Sequence, residues 1–111
     1  FSSGDREKAS PQLATFLEAH VFGVMDMYIT GHNHVLADEG DFLGTTQLIS
    51  ATGSLPGGSP EQAPESKFNV ETPGFLKLRF VNPNEANYEF ISSLDGKSIW
   101  TNSKTGAGLR P

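Results

Sequence analysis

The chain has 111 residues, a net charge of −5 and no cysteine. That length fits one small domain, the acidic balance opposes a nucleic acid partner, and the lack of thiols removes disulfides and thiolate metal ligands. No apolar run approaches the ~20 residues of a membrane-spanning helix, and 36 % hydrophobic residues make a thin core for a piece that packs against something else.

Residues 1–10 read as a polar loop; Phe1 in place of Met marks a processed or cut chain, and no basic stretch precedes an apolar one as in a signal peptide. Ser10-Pro11 is a helix-start signal. Leu13, Phe16, Leu17 and His20 or Val21 then recur at helical spacing, which predicts an amphipathic helix ended by Gly23. His20 reads as structural. Residues 24–30 (VMDMYIT) predict a buried strand, with Tyr28 in its core and Asp26 bonding nearby backbone. Gly31-His32-Asn33-His34 follows at once.

Residues 37–44 (ADEGDFLG) read as an acidic turn, with Asp38, Glu39 and Asp41 solvated and Gly40-Asp41 part of the turn. Residues 45–51 predict a further strand. Residues 53–72 read as an exposed Pro/Gly-rich loop. After Pro73-Gly74, alternation over residues 75–81, 86–92 and 98–101 predicts an antiparallel meander, with Lys77 and Arg79 outward and Phe75, Phe80, Phe90 and Trp100 as sheet core. Tyr88, Phe90 and Ser92 share one face. Residues 102–111 read as a tail.

The constellation that carries chemistry is His32 and His34 on a glycine turn after an apolar strand. Loops at the C-terminal ends of strands are where α/β sheets hold ligands, and two imidazoles two residues apart can reach one ion or two neighbouring ions. Asn33 is not expected to be a ligand.

The run from Asp26 to His34 resembles the closing strand and G-H-x-H motif of calcineurin-like metallophosphoesterases. Phe1-Ser2-Ser3-Gly4 resembles the segment after that family's G-H-x-P motif. Residues 45–53 (TTQLISATG) and 73–100 are similar to its later strands, nearest to the tartrate-resistant type of purple acid phosphatase. The resemblance implies the C-terminal segment of a single α/β domain, a four-layer α/β/β/α sandwich with mixed sheets and a terminal antiparallel meander. It implies a hydrolase, an acid phosphatase cleaving phosphate monoesters at a dinuclear centre of Fe with Zn, Mn or Fe. His32 would bind the divalent metal and His34 the ferric iron.

The other ligands of such a site would lie upstream, so this chain alone is expected to be inactive until the remaining N-terminal part of the same protein completes it. The expected partners are that part, a phosphorylated small molecule or phosphoprotein substrate, and a larger assembly. Extracytoplasmic localisation, whether secreted, lysosomal or vacuolar, is implied by the resemblance alone. The competing reading is a catalytically inactive, phosphatase-like structural or accessory subunit.

Overall fold

The computed structural model describes residues 11–31, 33–53 and 66–106. Pro11–His20 forms helix α1, and strands follow in the order β1 Met27–Thr30, β2 Leu36–Phe42, β3 Thr45–Ser50, β4 Phe68–Val70, β5 Gly74–Asn82, β6 Glu85–Ser92 and β7 Ser98–Thr105. They make a four-stranded sheet ordered β1-β3-β2-β4 and a three-stranded sheet ordered β5-β6-β7. β1 runs parallel to β3; every other pairing is antiparallel.

Pro11 opens α1, where its missing N–H is no loss. The helix ends at His20, and the turn that follows passes through Gly23, whose φ of +84° is open to glycine at little cost. Thr45 fixes this corner. Its hydroxyl accepts the Gly23 amide at 3.0 Å and lies 2.5 Å from the Met25 carbonyl. Of the predicted helical apolar face, Leu17 is buried, while Leu13 and Phe16 are exposed. Phe22, not foreseen as core, packs edge-on against Tyr28 and Phe42.

The largest local departure from expectation is the acidic stretch. Residues 37–42 lie inside β2, paired with β3 on one side and β4 on the other. Asp38 and Glu39 are fully buried. The reversal comes later, at Leu43 and Gly44, both with positive φ (54° and 88°), as a two-residue hairpin turn requires. Gly40, with φ +79°, accompanies the register shift between Asp38 and Asp41, which is how a strand absorbs an extra residue.

The two sheets close on Leu36, Leu48, Tyr88 and Phe90. Phe68 of β4 stacks on Phe90 (5.9 Å) and Trp100 (5.0 Å), which places β4 over β6 and β7. Gly74 is required by close packing: a Cβ there would stand 2.2 Å from the Ile91 carbonyl oxygen and 2.9 Å from Leu36 Cδ1.

Several expectations need correction. The anticipated α/β class, a four-layer sandwich flanked by helices, is not what the chain shows. Among the described residues there is one helix against seven strands, so the architecture is β-rich, two sheets with a single helix at one side. Phe75 and Phe80 are not core but 49 % and 71 % exposed. The loop expected over 53–72 includes β4, and the tail expected from residue 102 belongs to β7 as far as Thr105. Residues 54–65 and 107–111 lie outside the described residues.

Candidate binding surface

The sequence singles out the histidine motif. His32 lies outside the described residues. His34 is exposed, in a tight segment where the Asn33 amide donates to the Gly31 carbonyl at 3.1 Å and the Val35 amide to the Asn33 carbonyl at 2.7 Å. Among the described residues no three His, Asp or Glu side chains converge as a metal-holding group. A dinuclear centre needs carboxylate and imidazole ligands closing on both ions, and one exposed imidazole does not supply them. Among the described residues no such ligand set is present, and no chemistry is derived through one.

What the acidic strand builds instead is a buried polar hub. Asp38 Oδ2 accepts hydrogen bonds from the Tyr88 hydroxyl (2.7 Å), Trp100 Nε1 (3.1 Å) and Asn102 Nδ2 (3.4 Å), and Oδ1 accepts the Gly40 amide (3.0 Å). Burial, together with the hydrogen bond to the Asp38 carboxylate, pushes the Tyr88 phenol well above its ordinary value, so it stays a donor. A buried polar group is tolerated where hydrogen bonds satisfy it, and here every side-chain donor comes from the opposite sheet. The hub fixes β2 against β6 and β7, and so fixes the orientation of the three-stranded sheet.

A second tie lies at the β2–β3 turn. Lys104 Nζ donates to the Gly44 carbonyl at 2.7 Å and stands 3.5 Å from Asp41 Oδ2. Thr46 Oγ1 donates to Asp41 Oδ1 at 2.5 Å. Burial would raise the Asp41 carboxyl, but the Thr46 hydroxyl and then Lys104 and Lys67 outweigh it and hold it below its ordinary value of 3.8. A depressed folded value gives stability that is present above the unfolded value and lost as pH falls through the folded one. The stability difference between wild type and Asp41→Asn should therefore be full above about pH 5 and vanish in strong acid, as urea titrations across pH will show. Asp41 is half exposed, so the difference will be small.

The surface held in place by these ties is the three-stranded sheet's outer face and its β5 edge. Lys77, Arg79, Asn87, Glu89, Thr101 and Ser103 line a shallow polar groove of about 440 Å³ on that face. Lys77 stands 3.6 Å from Glu89, while Arg79 faces the neutral Asn87 across the pair.

Among the described residues β5 has a neighbour on one side only. The Leu76 amide donates to Ser50 Oγ (3.2 Å) and the Gly74 carbonyl accepts from Thr52 Oγ1 (3.3 Å), both groups outside the sheet. Backbone direction repeats every second residue in a strand, so the amides and carbonyls of Leu78 and Phe80 turn to the same side. There, among the described residues, no strand meets them.

β3 touches β5 through Ser50, and β1 lies next beyond β3 in its sheet. Met27 of β1 and Phe80 border one small pocket near the β5–β6 turn. Ile29, two residues on and on the same face as Met27, is 45 % exposed. Ile29, Phe80 and the half-buried Leu78 thus leave apolar surface exposed on this side of the molecule, where β5 has no second neighbour among the described residues. Sequence reasoning missed this edge. Alternation showed which way Lys77 and Arg79 point, but strand order, which decides what is an edge, is set by contacts far apart in the chain.

No family model and no curated protein matches the chain. It is similar to a solved structure described as GAP50, the anchor in the inner membrane complex of Plasmodium, with a TM-score of 0.80 and 22 % identity over 99 % of this chain. The likeness shows the fold. The chain spans about a third of that protein, 34 % of its length.

These findings correct the family expectation. Neither a family model nor a curated protein carries a calcineurin-like or purple acid phosphatase assignment, and the similar structure is described as an anchor, not a hydrolase. The phosphomonoester hydrolase reading falls with it, as do the attributes acid phosphatase, iron, zinc and metal-binding, for which the described residues offer no ligand group. The inactive phosphatase-like subunit falls too, since it presupposes the same family. No helix among the described residues is long and apolar enough to cross a membrane.

Proposed function

We propose that the chain is a protein-docking module that takes an extended segment of a partner polypeptide along the open edge of β5. The observation that carries this is the outward-turned backbone of Leu78 and Phe80 beside the exposed apolar Ile29 and Phe80. An open edge is a template for a further strand: backbone hydrogen bonds supply affinity and alternate side chains supply selectivity. A strand added there would cover part of the apolar surface exposed on this side of the molecule. The solved structure of like fold, described as an anchor in a membrane complex, accords with a docking role.

Random heptapeptides displayed on phage and selected against the purified chain test this. Phe80→Pro is the comparator: it removes an outward amide, leaves the β5–β6 ladder intact and replaces an exposed side chain. Selected peptides should bind wild type and lose at least tenfold in affinity on Phe80→Pro. For each, N-methylation of the peptide amides along one edge should abolish binding and methylation along the other should spare it, a readout that leaves the protein's own fold untouched. Peptides indifferent to both changes, or no selected peptides at all, would overturn the proposal.

A further inference from the structure

The partner's chemistry can be taken one step further, on the premise of the docking reading. Although the chain is acidic overall, β5 carries two cations and no carboxylate: Lys77 and Arg79, both exposed, two residues apart on its outer face. Leu76 and Leu78 alternate with them and turn to the core. Any strand laid beside β5 sets one of its faces against this cationic pair and turns the other to the side where Phe80 is exposed. Lys77 already has Glu89 within 3.6 Å on the β6 side, whereas Arg79 faces Asn87 there. Glu89, the diagonal neighbour of Arg79, is engaged by Lys77, so a carboxylate on an incoming strand would add a partner directly beside Arg79.

A second copy of this chain is disfavoured by the same charges. Antiparallel pairing of two β5 edges about Leu78 would put Lys77 of one directly opposite Arg79 of the other. Like charges facing across strands destabilise a pair, and opposite charges stabilise it.

We infer that the β5 edge selects an extended partner segment, other than a second copy of this chain, in which acidic residues alternate with apolar ones. The acids face Lys77 and Arg79, and the apolar residues cover Ile29 and Phe80. The acidic side chains set which partner docks; the backbone ladder holds it.

Three fluorescein-labelled heptapeptides distinguish this inference from its premise. They share alternate Val positions and differ in the intervening residues, which are Glu, Thr or Lys. Fluorescence anisotropy at low salt should rank Glu above Thr above Lys, with at least a tenfold gap between Glu and Lys. That gap should shrink in 0.5 M NaCl and in the Lys77→Gln/Arg79→Gln double variant, whose exposed substitutions leave the core intact. Equal binding of all three, still lost on Phe80→Pro, would sink the charge selection and keep the docking site. Absence of Phe80→Pro-sensitive binding by any peptide would sink the docking site itself. Sedimentation of the unliganded chain is the control on the occupant: a concentration-dependent dimer abolished by Phe80→Pro would name a second copy and overturn the inference.

Discussion

Replacing Asp38 with Ala should lower the unfolding free energy by about 2–5 kcal/mol, because it leaves buried donors without a partner. The carboxylate is fully buried and accepts from Tyr88, Trp100 and Asn102 on the far sheet as well as from Gly40 beside it. Truncation strands the two well-made donors, Tyr88 and Trp100, at about 1–3 kcal/mol each. Removing only the Tyr88 hydroxyl, as Phe, should cost about 1 kcal/mol. The double variant should lose less than the sum, because both changes break one hub. Urea unfolding of the four proteins reads this cycle. A loss below about 1 kcal/mol for Asp38→Ala would mean that the hub does not hold the sheets together.

Phe90→Ala should be comparably damaging, about 3–5 kcal/mol. Its ring is fully buried at the centre of the intersheet core, stacked on Phe68 and beside Leu36 and Leu48. Phe80→Ala, the same chemical change, should move stability by no more than about 0.5 kcal/mol, because 71 % of Phe80 is exposed. It should instead weaken the binding of edge-docking peptides. Thermal unfolding of both variants with a peptide titration separates the two roles. A large destabilisation by Phe80→Ala would place that ring in the core and remove it from the exposed apolar surface.

The sequence made most of the elements legible and little of their arrangement. Pro11, the helical spacing to Leu17 and the turn at Gly23 locate the helix. Alternation through Lys77, Arg79, Tyr88 and Phe90 locates two strands and their faces. The acidic strand was opaque because Asp38 is stabilised by donors 50, 62 and 64 residues away, and nothing within residues 37–44 signals them. Read locally, acids beside Gly40 form a turn; in the fold, Gly40 sits at the irregularity that lets the strand continue.

The aromatic residues carry a similar lesson. Alternation alone reads Phe75 and Phe90 both as core, whereas the β5–β6 register sets them on opposite faces, and which of two faces is covered depends on where the second sheet lies. Phe80 shares the inner face, yet it runs past the end of the covered region. The histidine motif was conspicuous in the sequence, and among the described residues no three potential ligands converge as a metal-holding group. The site that the fold does expose is made of backbone, and an open strand edge leaves no motif to read.

The most direct test of the docking account is amide hydrogen exchange along β5, followed by NMR with and without the alternating Glu/Val peptide. In the free chain the Leu78 and Phe80 amides should exchange much faster than those of Phe75, Lys77 and Arg79, which face β6. On peptide binding, Leu78 and Phe80 should become protected while amides elsewhere change little. Uniform protection along β5 in the free chain would show that the edge is already covered, and peptide-induced protection that bypasses Leu78 and Phe80 would place the binding site elsewhere; either result would contradict the account.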